Sequence, residues 1–178
     1  MKVSLELHFL DEDAPPSPAE KLLNDTALLK DLDDIRYVEG RIQASFDDTP
    51  VEVTYEEPIL RLVNQWVRRL QWIIGGDTES IAFRNSEECY GFVPLGDTVE
   101  LCLFEGSESE VERYIIEPQT VRLADFVQTS IEMGETMLAV VKACDESLLE
   151  SDEDCKELVS DLEEARRAWK DFELHGRR

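Results

Sequence analysis

The sequence predicts an α+β fold, with one antiparallel β-sheet of hairpins and a meander packed against about four helices. Three observations carry this. Apolar residues alternate at the N-terminus and in four short runs between residues 79 and 117. They recur at helical spacing over 58–76, 123–144 and 151–172. Strands and helices do not alternate one for one, which disfavours a doubly wound parallel sheet. A chain of 178 residues with 42% hydrophobic content suits one domain spanning 1–178.

In chain order, KVSLELHF sets Val3, Leu5, Leu7 and Phe9 on one face and Ser4, Glu6 and His8 on the other, a half-buried strand. DEDAPPSP reads as a loop. Ser17-Pro18-Ala19-Glu20 carries a helix start, with Ser17 as cap and a helix running to about Leu32. RYVEGRIQASF and VEVTYE alternate again and read as a hairpin joined by Asp47-Asp48-Thr49-Pro50. Pro58 opens the next helix and Gly75-Gly76 closes it. Its core face is Ile59, Leu62, Val63, Trp66, Leu70, Ile73 and Ile74.

The runs ESIAFR, ECYGFVP, TVELCLF and VERYIIE form the meander. A turn centred on Leu95-Gly96 puts Tyr90, Phe92, Val99, Leu101 and Leu103 on one buried face, with Cys89 opposite Cys102 on the other. A disulfide between those two is geometrically conceivable, but two free thiols are favoured in a reducing compartment. Two helices, the last of them C-terminal, complete the chain. The first places Leu123, Phe126, Val127, Ser130, Met137, Leu138 and Val141 near one stripe. The second, capped by Ser151, repeats Cys155, Leu158, Val159, Leu162, Ala165, Trp169 and Phe172.

The formal charge of −23 argues against direct binding to nucleic acid or to an anionic membrane, and for a basic protein partner met under electrostatic steering. High-salt adaptation is a weaker explanation, because Glu outnumbers Asp 25 to 16 and long apolar segments remain. MKVSLELHFLDEDAPP lacks the make-up of a signal peptide, and no apolar run is long enough to cross a bilayer. A cytoplasmic location is therefore expected. The four cysteines show no metal-ligand spacing.

No catalytic residues and no cofactor are expected. The two histidines stand apart, no HExxH or Cys/His cluster exists, and the acid-rich DESLLESDED lacks the central glycine of a calcium loop. There is no GxSxG and no phosphate-binding loop.

Two surfaces stand out. Asp145–Glu164 contains ten acids and one base, Lys156. A helical wheel gathers Glu153, Glu157, Asp161 and Glu164 into a carboxylate ridge opposite the apolar stripe. The plain alternative is a solvated face. The helix after Pro58 has no acid, and its polar side carries Arg61, Gln65, Arg68, Arg69 and Trp72. Arg and Trp are enriched at binding hot spots. The favoured plain alternative has the arginines bridging the chain's own carboxylates while Trp72 packs under a loop. The candidate partner-binding set is therefore Glu153, Glu157, Asp161, Glu164, Arg61, Arg68 and Trp72.

A small acidic α+β chain without catalytic motifs resembles, as a class, the immunity partners of bacterial toxins, nucleases in particular. That resemblance, of class only, implies a protein-binding inhibitor that blocks or flanks a basic active-site cleft. In such a mechanism the acidic helix supplies charge, and an aromatic such as Trp72 or Tyr90 supplies an apolar anchor. The alternatives are a chaperone or adaptor for a basic client, a DNA-mimic inhibitor, whose ridge would be short, and an enzyme with scattered site residues. The outer sheet face around Cys89 and Glu100 is an equally open contact surface.

Overall fold

The computed structural model describes residues 1–11, 14–32, 34–51, 53, 55–108 and 110–176. It is mixed α+β, with two antiparallel sheets rather than one. The first strand, β1 (Val3–Asp11), pairs with β2 (Ala14–Pro18) on one side and β3 (Glu39–Phe46) on the other. Its alternation has the expected effect. Val3, Leu5 and Leu7 face Phe46, Ala44 and Ile42 across the ladder, and all six are buried.

The segment read as a loop supplies β2, an edge strand whose prolines fit there because they need not donate to a further neighbour; residues 12 and 13 lie outside the described residues. The helix expected to follow is two short ones, α1 (Ala19–Asn24) and α2 (Thr26–Asp31). Asp25 breaks it, with extended backbone angles, and caps α2 by accepting from the Ala27 amide at 3.0 Å. Ser17 belongs to β2 and is not the cap; Pro18 holds that position without a side-chain bond.

The second arm of the expected hairpin is only fragmentary: β4 (Thr49–Pro50) and β5 (Glu57–Pro58) each pair with β3, and residues 52 and 54 lie outside the described residues. Side chains of β3 take the place of the ladder. Arg41 donates to the Val53 carbonyl at 2.5 Å and Gln43 to that of Val51. Val53 and Tyr55 still point into the core.

The helix α3 (Ile59–Gly75) ends where expected, with Gly76 in the left-handed region at φ 107° and its amide donating to the Trp72 carbonyl at 2.9 Å. All seven expected core residues of α3 are buried. The meander follows as β6 (Glu79–Ala82), β7 (Glu88–Leu95), β8 (Thr98–Ser107) and β9 (Glu110–Arg122), in that spatial order. Its turn is centred one residue later than expected, since Leu95 pairs with Thr98. Cys89 therefore sits opposite Phe104, and Cys102 opposite Gly91. The tip of the β8–β9 hairpin curls over this outer face, where Ser80 donates to the Glu108 carbonyl at 3.4 Å, and Cys89, Cys102 and Phe104 make a small separate core beneath it.

Two long helices complete the fold: α4 (Leu123–Asp145), then the single turn α5 (Leu148–Ser151), then α6 (Glu153–His175). Asp152, not Ser151, caps α6, accepting from the Cys155 amide at 3.1 Å. Val159 is exposed instead of core-facing, and Trp169 and Phe172 stack on each other at 5.2 Å in a half-buried position.

One apolar core joins both sheets to the helices. Trp66 of α3 stands edge-on to Tyr90 and Phe92 of β7, with centroids at 4.9 and 4.8 Å. The Tyr55 and Tyr90 hydroxyls meet at 2.6 Å, and Tyr55 donates to the Ile42 carbonyl of β3 at 2.9 Å, tying the two sheets together. Gly134 of α4 lets α6 and α3 close in, since a Cβ there would lie 2.9 Å from Leu162 and 3.0 Å from Val67. No helix among the described residues is long and apolar enough to cross a membrane.

Candidate functional site: an arginine and tryptophan cleft beside an acidic helix

The acid-free helix and the acid-rich helix turn out to be neighbours. Asn64, Arg68 and Gln71 of α3 meet Asp154, Glu157 and Glu164 of α6 in that order, so the two helices run side by side in the same direction. Asn64 donates to the Asp154 carbonyl at 3.2 Å, and Gln71 to the Glu164 carboxylate at 3.1 Å. Arg68 lies 3.7 Å from the Glu157 carboxylate, with both side chains about half exposed, a geometry worth on the order of 0–1 kcal/mol.

Arg69 is held more firmly. It donates to the Ser80 carbonyl at 2.5 Å and the Gln65 carbonyl at 3.1 Å, and lies 3.7 Å from Glu79 and 3.8 Å from Glu108. Burial lowers its pKa and the two carboxylates oppose that shift. Arg61 is exposed and makes no ion pair or hydrogen bond among the described residues. Arg61, Arg68 and Arg69 line a cleft of about 580 Å³ together with Trp72, Glu79, Asp154 and Glu157. Trp72 is 40% exposed.

The carboxylate ridge is split. Glu153 points outward and pairs with Lys156 at 2.8 Å. Glu157 and Glu164 turn toward α3, and Asp161 is only 9% exposed. The split arises because α6 packs on α3 and α4 at once, so its buried arc is wider than one stripe. Leu158, Asp161, Leu162 and Ala165 follow the i, i+3, i+4, i+7 pattern of a core-facing row, and that spacing is the signal that places Asp161 inside. Burial pushes the Asp161 carboxyl above its ordinary value, while Arg68 pulls it back. Burial, then Asp152 and Glu157, push Asp154 upward too, opposed by Arg61. Two acceptors in this seam, Asn64 Oδ1 and Asp161 Oδ2, are buried without a hydrogen-bond partner among the described residues.

The expected anchor Tyr90 is fully buried and cannot touch a partner; Trp72 is the aromatic that remains available. Glu79 lines the cleft and Glu108 lies beside its Arg69, although nothing in the local sequence near 61–72 announces them, because they arrive from β6 and the β8–β9 turn. A second acidic zone caps the molecule: Asp145, Glu146, Glu150 and Glu153 are exposed from the end of α4 to the first turn of α6. No group of three or more His, Cys, Asp or Glu side chains is placed to hold a metal among the described residues.

The fold and the cleft define a class: a two-sheet α+β chain with a polar helix–helix seam on its surface. Comparison with protein-family models, with curated proteins and with solved structures finds no match to this chain.

Proposed function

We propose that this chain is a protein-binding inhibitor of the immunity type, neutralising a basic partner such as a bacterial toxin by occupying or flanking its active-site cleft. The observation that carries the reading is the charge: 41 acids against 18 bases, with exposed carboxylates concentrated from the end of α4 into α6. A protein that cleaves nucleic acid must present a basic surface to phosphates, and a toxin nuclease is the partner whose cleft best complements this chain's acidic surface. Exposed Glu153 and Glu157 would steer the encounter, and exposed Trp72 on the polar side of α3 would give a rigid aromatic contact.

The test is a capture from lysate of the native source, with the full chain as bait at low and then moderate salt, followed by titration of the captured partner's activity. A single basic protein held in one-to-one ratio at moderate salt, and inactivated at that ratio, supports the reading. Charge reversal at Glu153 and Glu157 should then slow association and weaken binding by about tenfold or more. Many basic proteins that all wash off with salt, or a partner whose activity survives saturation, would overturn it.

A further inference from the structure

Of the outer strands, β9 is the one whose free edge lies open among the described residues. The edge strand β2 is Ala-Pro-Pro-Ser-Pro, and β4 is two residues long and ends in Pro50. On the far side of the meander, β6 has four residues, and Arg69 already occupies its Ser80 carbonyl. These are the usual ways of blunting an edge. Among the described residues β9 runs for 13 residues and pairs only with β8, in a ladder whose register shifts pass over Glu112 and Ile115 but leave the outer edge uncovered. Its first six residues, 110–115, are all exposed, and proline is absent until Pro118. Val111, Tyr114 and Ile115 are 42%, 40% and 37% exposed, three large apolar side chains on an edge strand.

Charge selects the occupant. Around these apolar residues stand Glu110, Glu112 and Glu117, with Arg113 already paired to Glu105. A second copy would bring the same acids and another −23 charge to the edge, and would be repelled. An extended basic segment meets the opposite situation: backbone pairing supplies affinity, and lysine or arginine side chains meet the glutamates. We infer that residues 110–116 of β9 take up an extended, basic segment of the partner as an added strand. This deepens the reading of a basic protein partner, and rests on it for the partner's charge.

The experiment uses the full chain and a short peptide alternating lysine with valine and threonine. Its controls are a twin N-methylated along the whole backbone and a twin with glutamate in place of lysine. The lysine peptide should slow hydrogen exchange of amides within 110–116, while the methylated twin, with equal charge but no donors, binds at least about tenfold weaker. The paired change V111K/I115K should abolish the protection with an unchanged circular dichroism spectrum, and E163K on the outer face of α6 should leave it. Equal binding of both lysine peptides, or protection confined to α6, would show charge alone at work and overturn the inference. So would protection of 110–116 that grows with chain concentration and no peptide, because a second copy would then hold the edge. If a basic partner is captured and only E153K weakens it, this inference fails while the inhibitor reading stands. If no partner is captured, that reading fails while the peptide result still decides the edge.

Discussion

The indole Nε1–H of Trp66 donates to the Ser130 hydroxyl at 2.9 Å, with both residues fully buried between α3 and α4. The sequence places both on apolar stripes, and this bond is what makes a serine acceptable there. Ser130→Ala leaves the indole N–H buried with no acceptor, at a cost of about 1–3 kcal/mol. Trp66→Phe alone removes the donor but leaves a space among Tyr90, Phe92 and Phe126. Denaturant midpoints of the two single variants and the double variant measure the coupling. A Ser130→Ala chain as stable as the parent would show that the bond contributes nothing.

Asp161 gives a pH-dependent prediction. Its carboxyl is pushed up in the folded chain by burial, so the fold binds its proton more tightly than the unfolded chain does. Stability from this group is therefore greatest at low pH, where both states are protonated. It falls as pH rises through the unfolded carboxyl value toward the folded one, and stays lower at neutral pH. Asp161→Asn removes the charged form and should stabilise the chain at pH 7 by more than the roughly 0.5 kcal/mol scatter of surface changes. The gain should vanish at pH values below the ordinary aspartate range. A destabilised variant at neutral pH would mean that attraction to Arg68 outweighs burial.

What the sequence reveals, and what it conceals, divides along the range of the interactions. Alternation along β1 and β3, and the glycine closing α3, depend on near neighbours, and they were legible. So was the buried face of the meander. Moving the turn by one whole residue shifts both strands' register without changing which side chains face inward, so Tyr90, Phe92, Val99, Leu101 and Leu103 are buried either way. The packing of two separate sheets around one core was not legible, because it rests on contacts between residues far apart in the chain, such as Tyr55 with Tyr90. At the site, the wheel sorted Arg61, Arg68 and Trp72 correctly onto the polar side of α3. It could not show that α6 would lie along that same helix, which is what buries Asp161 and draws Glu157 onto Arg68.

The same shift of register decides the chemistry of the cysteines. With Cys89 opposite Phe104 and Cys102 opposite Gly91, the two thiols are diagonal neighbours, at a separation of about 7–8 Å for such pairs, wider than a disulfide usually spans. Burial pushes Cys102 up to about 11 and Cys155 up to about 12, and burial with Glu108 nearby raises Cys89. Few of these thiols are thiolate at neutral pH, and their access is poor. Cys144 is also raised by burial, but it is the one that is not fully buried. In the native chain a thiol reagent should therefore modify Cys144 first, with the other three reacting at least about tenfold more slowly, until denaturant exposes them. Mass spectrometry of the labelled chain over time gives the order. Under a mild oxidant the native chain should keep the mass of four free thiols. Rapid formation of a Cys89–Cys102 crosslink without unfolding would mean that β7 and β8 pair in the register with the turn at Leu95-Gly96, and that Gly91 is not the neighbour of Cys102.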